Sequence, residues 1–388
     1  MTGRRACFIT GLLTALLGLV LQLSIVQLRY GGNWTALFCT GSAFPVPPAL
    51  SGEHIYVFQH STGYDGQMYH YVAHDPLLKT GILLYMDNPR VRYRRILLPA
   101  TAFLLGLGQS ARIDSAYVAA NLLFLFLGAW WLSQYFDSLR LPAGWAAGLV
   151  VTPAALISLD RLTVDLAFTA LCIGFALYVH LGQNAKACVA LALGCMARET
   201  GFMLAGAACL ALAMERRFAK GAAFAAAALP AAAWWLYVNA KTPDYSNEAF
   251  QQLIPFKGLW ETFLHPLAYP FSAPVNTALG LLDRIGLLAF VLGGVFSIWL
   301  VRRKGLGPLE MAMVLWTLVG LCLPRFFWED SFSGSRVFTP LLIYVMLRGF
   351  PVAGGKALAP LLFAIPRILL QVAGPLAVEL WTRAGAAR

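Results

Sequence analysis

The chain has 388 residues, of which 59% are hydrophobic and only 12% are charged, and its formal net charge is +11. Soluble domains contain roughly 45–50% apolar and about 25% charged residues, so this composition excludes an ordinary soluble protein and indicates a polytopic membrane protein. The basic residues are scattered through loops between apolar stretches, which argues against a nucleic-acid partner.

The first predicted element is a transmembrane helix over residues 7–28, which contain no charged residue. This stretch meets the roughly 20 residues that a helix needs to cross a bilayer. Arg4 and Arg5 precede it, which predicts that the chain starts in the cytoplasm. A signal peptide would have an apolar region of only about 7–15 residues, so we expect an uncleaved helix.

Residues 29–95 are predicted to form a large first external loop that concentrates polar side chains. Asp65 is the strongest candidate for a catalytic residue in this loop, because Gly63 and Gly66 on either side permit a turn that brings the backbone close to a ligand. A carboxylate in a cleft at the membrane face can act as a general base towards an acceptor hydroxyl. The alternative is that Asp65 only caps the helix that follows.

Several neighbours of Asp65 are candidate substrate-binding residues: Tyr64, Gln67, Tyr69, His70, His74 and Asp75. If residues 67–75 are helical, His70 and His74 lie on one face, four positions apart. That spacing would suit a metal ion, but no third ligand follows at a diagnostic spacing, and the seven cysteines form no CxxC pair. The sequence therefore predicts neither a metal site nor a cofactor.

Residues 90–95 contain four arginines on the side of the membrane where basic residues are less common. Arg92, Arg94 and Arg95 are candidates to bind the phosphate of a lipid carrier, because a guanidinium group contacts two phosphate oxygens at once. Two other interpretations remain open, namely snorkelling towards lipid headgroups and salt bridges with Asp75 or Asp87.

The later apolar stretches predict about 11 transmembrane helices in total. They lie at residues 116–134, 143–159, 162–181, 187–197, 200–214, 221–239, 285–301, 309–324, 337–350 and 357–373. The stretch 96–109 has 14 residues and is predicted to be re-entrant or interfacial. With that assignment the most basic loops fall on the cytoplasmic side, as the positive-inside rule expects.

Ionisable residues interrupt these stretches at Asp160–Arg161 and Arg198–Glu199, and a further group lies in the outward loop 325–336. Charges within a membrane are costly, so they are expected to pair with one another or to line a polar cavity. An aromatic belt explains Phe326, Phe327 and Trp328 but not the charged residues beside them. The resulting candidates are Asp160, Arg161, Arg198, Glu199, Glu329, Asp330 and Arg336.

Taken together, these residues resemble the GT-C glycosyltransferase superfamily of polytopic membrane proteins, in particular those that form bacterial cell-surface glycopolymers. The resemblance lies in Gly-Tyr-Asp-Gly-Gln-x-Tyr at 63–69, Asp-Pro at 75–76 and Tyr-Arg-x-Ile-Leu-x-Pro at 93–99, supported by 160–161, 197–200 and 335–337. It implies a multi-helix GT-C-like bundle, a non-cytoplasmic active site and a sugar donor on a polyprenyl phosphate. It also implies that Asp65 is the essential acidic residue of the first external loop. The chain departs from the family in having no Asp-x-Asp pair around Asp65 and no large C-terminal soluble domain.

The sequence as a whole predicts one all-α integral-membrane domain over residues 1–388, in a bacterial inner membrane. We expect a glycosyltransferase that takes a sugar from a polyprenyl-phosphate donor, with a glycan or glycolipid acceptor and membrane lipids as its other partners. The alternatives are a glycolipid transporter or flippase and a non-catalytic subunit of a glycopolymer assembly system. A transporter would favour inverted repeats with broken helices, and no repeat is visible.

Overall fold

A computed structural model of the protein describes residues 2–244, 254–329 and 331–386. The N-terminal part combines one long helix with a loop region of short elements. Its helices are α1 (Thr2–Arg29), α2 (Asp65–His74), α3 (Pro89–Arg94) and α4 (Leu97–Leu105). Two parallel strands pair within the loop, β1 (Thr40–Gly41) and β2 (Val57–Phe58). Three 3₁₀ turns complete it: Trp34–Phe38, Pro48–Leu50 and Ile82–Tyr85.

The rest of the described chain is a bundle of helices. They are α5 (Ser110–Ser138), α6 (Pro153–Arg161), α7 (Asp165–His180), α8 (Asn184–Ala197), α9 (Thr200–Met214), α10 (Phe218–Ala227), α11 (Leu229–Lys241), α12 (Lys257–Leu264), α13 (Ala273–Lys304), α14 (Pro308–Leu321), α15 (Arg325–Glu329), α16 (Ser331–Ala353) and α17 (Ala359–Ala386). The 3₁₀ segments Ala143–Val151 and Gly354–Leu358 precede α6 and α17.

Several helical stretches are long and apolar enough to cross a membrane. Among the described residues, five pass on length and composition: Gly3–Arg29, Ser110–Ser138, Phe218–Lys241, Ala273–Lys304 and Phe332–Ala384, the last of which covers most of α16 and α17. A sixth is added if the 3₁₀ segment before α6 and α6 itself, which meet at 53°, form one span. The prediction of an all-α membrane protein is confirmed. Helices α7, α8, α9 and α14 are apolar but shorter.

Proline explains two of the differences between the predicted and the observed segments. The predicted stretch 143–159 is divided at Pro153, and the stretch 221–239 is divided just before Pro230. Proline has no N–H to donate and restricts the residue before it, so a helix commonly ends or bends there. The apolar stretch 96–109 contains only the nine-residue α4, which is about 14 Å long and far too short to span a bilayer by itself.

Contacts at the start and at the end of α1 identify the two ends of the bundle. Gly3 at the start of α1 lies against Asp137 at the end of α5, so these two helices run antiparallel. At the other end of α1, Arg29 lies 3.9 Å from the Asp160 carboxylate, and Arg383 donates to the Leu28 carbonyl at 2.8 Å. We call this second end, which carries residues 30–96, the loop end.

Candidate functional site

Helix α2 begins directly at Asp65, and two glycines make this start possible. Gly63 has a φ of +72°, which side chains other than glycine rarely adopt, and a Cβ there would lie 2.7 Å from the Cys39 carbonyl oxygen. A Cβ on Gly66 would collide with the carbonyl oxygen of Arg161. The glycines therefore let the first turn of α2 fit against the end of α6 at the loop end.

The carboxylate of Asp65 is held between two arginines from distant parts of the chain. Arg92 Nη1 donates to Oδ1 at 2.7 Å, and Arg336 Nη2 donates to Oδ2 at 2.5 Å. The side chain of Asp65 is only 18% exposed. The N-cap residue of α2 is Tyr64, so Asp65 is the first residue of the helix and not its cap.

This arrangement sets the protonation state of Asp65. Burial by itself would raise the pKa of the carboxyl group, but the guanidinium groups of Arg336, Arg92 and Arg95 outweigh burial and hold the pKa well below its usual range. A general base is most effective when its pKa lies near the working pH. Asp65 is therefore ionised but weakly basic while both arginines contact it.

Arg92 and Arg336 each contact a second carboxylate. Arg92 donates to Asp87 through Nε at 3.0 Å and through Nη2 at 2.6 Å. Arg336 Nη1 lies 3.2 Å from Asp165 Oδ2, and Asp165 is the first residue of α7. Neither guanidinium group depends on Asp65 alone for its charge balance.

Asp165 extends the contacts towards the junction of α8 and α9. It forms a buried ion pair with Arg198, whose Nε lies 3.9 Å from Glu199. Glu199 accepts from Arg95 Nε at 2.7 Å, and Arg95 also donates to the Tyr69 hydroxyl at 2.8 Å. Predicted site residues from α2, α3, α16 and the junction of α8 and α9 thus meet in one cluster.

We call this cluster the Asp65 network. It contains four arginines and four carboxylates: Arg92, Arg95, Arg198, Arg336, Asp65, Asp87, Asp165 and Glu199. Its formal charges balance, yet Nε of Arg336 and Nε of Arg198 are buried without a hydrogen-bond partner among the described residues. Buried donors of this kind are costly unless an acceptor reaches them.

Tyr64 joins the Asp65 network to the end of α6. Its ring lies 4.6 Å from the Arg161 guanidinium carbon and 4.9 Å from that of Arg336. Asp160 Oδ2 lies 3.3 Å from Arg161 Nε. The cation–π contacts on Tyr64 therefore place Arg161 beside the Asp65 network, and the ion pair places Asp160 next to Arg161.

Gln67 and Asp75 are predicted binding residues, but both accept hydrogen bonds from nearby backbone N–H groups instead. Gln67 is fully buried, and its Oε1 accepts from the Gly41 N–H at 3.0 Å. Asp75 accepts from the N–H groups of Lys79 at 2.7 Å and Thr80 at 2.8 Å, and it is 3% exposed. Their polar atoms are used within the fold, which is the ordinary role of a buried amide or turn carboxylate.

Arg94 and Glu329 are not brought to Asp65. Arg94 points to α11, where its Nη2 donates to Asn239 at 2.8 Å. Glu329 pairs with Arg325 one helical turn before it, at 2.5 Å. Asp330 lies outside the described residues.

His70 and His74 belong to a second cluster, on α2 but separate from the Asp65 network. Glu53 and Asp114 complete it, and one potential ligand atom from each of the four residues lies within 4.8 Å of all the others. The two carboxylates come from the loop before α2 and from the first turns of α5.

Asp165, Glu53 and Asp114 are site residues that the sequence does not predict. Asp165 shows a usable signal, since it is a charge at the start of an otherwise apolar stretch. Such a residue marks either a buried pair or a polar cavity. Glu53 and Asp114 show none, because each is a single acid in a polar surrounding and nothing in the sequence relates it to the histidines.

Comparison with known proteins gives no match: no family model fits the chain, and neither curated proteins nor solved structures show significant similarity. Guanidinium groups gathered on one carboxylate, with spare buried N–H donors beside them, suit an anion that has several oxygens, such as a phosphate.

Proposed function

We propose that this protein is an integral-membrane glycosyltransferase that moves a sugar from a polyprenyl-phosphate-linked donor to a glycan or glycolipid acceptor. The observation that carries the proposal is the position of Arg92 and Arg336 on the two oxygens of the Asp65 carboxylate. A carboxylate presents two oxygens to two arginines much as a phosphate group does. Arg92 and Arg336 are therefore spaced to bind two oxygens of a donor phosphate.

Binding of a phosphate would replace Asp65 as the partner of two arginines in the Asp65 network. The donor phosphate takes over Arg92 and Arg336 from Asp65, and Asp87 and Asp165 keep the two guanidinium groups in place. The buried Nε of Arg336, which lacks an acceptor among the described residues, supplies a further donor. Charge stabilisation by such preorganised donors is usually the largest catalytic contribution.

The same exchange would turn Asp65 into a better base. Once the arginines bind the phosphate, less positive charge faces Asp65 and its pKa rises towards the ordinary value. The acceptor hydroxyl oxygen then attacks the anomeric carbon, and its proton passes to Asp65. The bond between the anomeric carbon and the phosphate oxygen breaks, and its electron pair leaves with the lipid phosphate held by Arg92 and Arg336.

The proposed topology has eleven crossings and places the loop end on the non-cytoplasmic face of a bacterial inner membrane. The crossings are α1, α5, the 3₁₀ segment with α6, α7, α8, α9, α10 with α11, α13, α14, α16 and α17. The basic residues 215–220 and 302–304 follow α9 and end α13, at the opposite end from Asp65. Basic loops favour the cytoplasmic side.

An apolar groove supplies a place for the lipid chain of the donor. It lies between α12, α13 and α14, has a volume of about 320 Å³, and is lined by side chains that include Leu259, Trp260, Phe263, Leu288 and Val291. A polyprenyl chain is wholly apolar, and within a bilayer it would bind such a groove through van der Waals packing against the apolar side chains. The groove supports a lipid-linked donor over a soluble sugar nucleotide.

The decisive experiment incubates the purified protein, in lipid, with a panel of polyprenyl-phosphate sugars and candidate acceptors. We expect release of polyprenyl phosphate together with a glycosylated acceptor, and loss of both products in Asp65→Asn. Movement of a labelled glycolipid across vesicles without release of lipid phosphate would instead identify a transporter. Neither release nor movement, with Asp65→Asn retaining glycopolymer formation in cells, would indicate a non-catalytic subunit.

A further inference from the structure

The second cluster on α2 gathers four potential metal ligands from three separate elements. His70 and His74 lie one turn apart on α2, Glu53 comes from the preceding loop, and Asp114 lies in the first turns of α5. His70 is fully buried, and the side chains of His74, Glu53 and Asp114 are 4%, 17% and 26% exposed. The four groups therefore face one another in a largely buried cluster.

The distances within the cluster suit a tetrahedral ion. His70 Nε2 lies 3.1 Å from His74 Nε2, 2.7 Å from Asp114 Oδ1 and 3.6 Å from Glu53 Oε2. His74 Nε2 lies 3.5 Å from Glu53 Oε1 and 4.0 Å from Asp114 Oδ1. Tetrahedral zinc with bonds of about 2.0–2.2 Å to nitrogen and oxygen requires its ligand atoms to be roughly 3.3–3.5 Å apart. The observed distances scatter around that value.

Ser110 orients one of the two histidines as a metal ligand. Its hydroxyl donates to Glu53 Oε1 at 2.9 Å, so its oxygen accepts from His74 Nδ1–H, which lies 3.1 Å away. With the proton on Nδ1, the lone pair of His74 Nε2 points into the cluster. Metal-binding histidines are commonly held in this way by a hydrogen bond at the other ring nitrogen.

Packing orients the other histidine. The ring of His70 stacks on Phe38 with centroids 3.9 Å apart and planes 13° apart. Its Nδ1 is buried without a hydrogen-bond partner among the described residues. The ring is therefore fixed by an aromatic face, and its Nε2 is the nitrogen directed at the carboxylates.

The charge of the cluster also favours a divalent cation. Histidine binds a metal ion as neutral imidazole, so the four ligands together would carry only the two negative charges of the carboxylates. Without a cation, Nε2 of His70 and Nε2 of His74 face each other at 3.1 Å, and one proton at most fits between them. A divalent ion would neutralise both carboxylates and use both lone pairs.

We propose that Glu53, His70, His74 and Asp114 bind one Zn²⁺ ion in a structural site. Imidazole ligands favour zinc, whereas Mg²⁺ and Ca²⁺ favour sites made of oxygen atoms alone. Four protein ligands close the coordination sphere, which is typical of structural and not of catalytic zinc. The ion fastens the first loop and α2 to α5 and so fixes the helix that carries Asp65.

The first test measures bound metal in protein purified with a tag that contains no polyhistidine. Elemental analysis of the wild-type protein from zinc-supplemented cells should find one zinc per chain after desalting. The variants His74→Ala and Asp114→Asn should lose most of it. His54→Ala is the matched control, because His54 is exposed in the same loop and belongs to no part of the cluster, and it should keep its zinc.

A second measurement uses only the folded wild-type protein, in case the variants fail to fold. Removal of zinc by a chelator should lower the midpoint of thermal unfolding, and Zn²⁺ but not Mg²⁺ should restore it. Wild-type protein with no stoichiometric metal and no thermal response would overturn the proposal. So would unchanged zinc in His74→Ala, or stoichiometric binding of another metal in place of zinc. Both readouts are independent of glycosyl transfer.

Discussion

Arg336 donates to Asp65 Oδ2 at 2.5 Å although the two residues lie 271 positions apart in the sequence. This contact joins α16, the last helix but one of the described chain, to the first residue of α2. Arg336 also reaches Asp165 at the start of α7, so a single guanidinium group connects three helices at the loop end. A side chain in this position affects both the charge of Asp65 and the place where a phosphate would bind.

The first prediction concerns the carboxylate itself. Asp65→Asn should lower glycosyl transfer by roughly 10²–10⁴-fold, because an amide accepts no proton, and this is the usual contribution of a general base. The protein level in the membrane should stay unchanged, since Asp87 and Asp165 still neutralise Arg92 and Arg336. Release of lipid phosphate by the purified variant is the measurement.

Asp87→Asn is the control for that experiment. It removes the other carboxylate that contacts Arg92 but leaves Asp65 in place. We expect a much smaller loss of activity in this variant. Equal losses in both variants would show that the two carboxylates only position Arg92, and full activity in Asp65→Asn would exclude its role as a base.

The second prediction concerns pH. The pKa of Asp65 is held well below its ordinary value, which is near 3.9. The carboxylate therefore stays ionised as the pH falls, and kcat/KM of the wild-type protein should show no acidic limb from Asp65 between pH 7 and about 5. In Arg336→Gln the pKa of Asp65 should rise, because the guanidinium group that lowers it most is removed. The acidic limb of the profile of kcat/KM against pH should then move to higher pH.

The same depressed pKa has a consequence for stability. The ion pairs of Asp65 contribute stability that is fully present above its unfolded pKa of about 3.9. This contribution is lost as the pH falls below that value and through the lower pKa of the folded state. Acid unfolding of Asp65→Asn should therefore be less steep between these limits, as measured by loss of helical circular dichroism.

The third prediction separates phosphate binding from simple positive charge. Lysine keeps the charge but lacks the planar fork of arginine. Arg92→Lys and Arg336→Lys should each lower turnover by roughly 10–150-fold, since a lost charge-assisted contact is worth about 1.5–3 kcal/mol. Arg94→Lys is the matched control, because Arg94 contacts Asn239 on α11, and its turnover should change less than about twofold.

Near-wild-type turnover in both the Arg92→Lys and Arg336→Lys variants would contradict the phosphate clamp. A large loss in Arg94→Lys instead would place the anion on the α11 side of the arginine run. The amount of folded protein must be compared for all three variants, because Arg336 is only 6% exposed. Elution as a single species in detergent serves that purpose.

The sequence predicts those parts of the site that depend on short-range patterns. Asp65 and Arg92 lie 27 positions apart in one loop, and a carboxylate between two glycines is a visible signal. Asp160–Arg161 and Arg198–Glu199 stand out because charge is rare within apolar stretches. The helix considered for residues 67–75 corresponds to α2, which starts two residues earlier at Asp65. The apolar character of α5, α8 and α9 follows from the same local reasoning.

Other parts depend on tertiary contacts that no local pattern contains. Asp75 follows the motif at 63–69, but its carboxylate accepts hydrogen bonds from the backbone of the next turn. The pairing of Asp165 with Arg336 requires α7 and α16 to meet. Asp114 lies 44 positions from His70 and reaches it only because α2 packs on α5, so the sequence offers no third metal ligand.

The fourth prediction concerns orientation. Cysteines at Thr62 and Ala268, both exposed, should react with an impermeant thiol reagent in intact cells. Cysteines at Asn184 and Arg303, at the opposite end of the bundle, should react only after the membrane is opened. All four variants are measured in a background that lacks Cys39. Labelling of position 303 with protection of position 62 would invert the proposed topology.

The last prediction concerns the apolar groove between α12, α13 and α14. Leu288 lines it and is 43% exposed, so Leu288→Trp should fill part of the groove and exclude a segment of the donor's lipid chain. Loss of about ten van der Waals contacts, each worth about 0.1–0.2 kcal/mol, should raise KM roughly tenfold. The rise should appear with long polyprenyl donors and vanish with short ones. Val295→Trp is the control, because Val295 is exposed on the same helix seven residues further on and does not line the groove. Equal effects of the two tryptophans, or no dependence on chain length, would show that the lipid binds elsewhere.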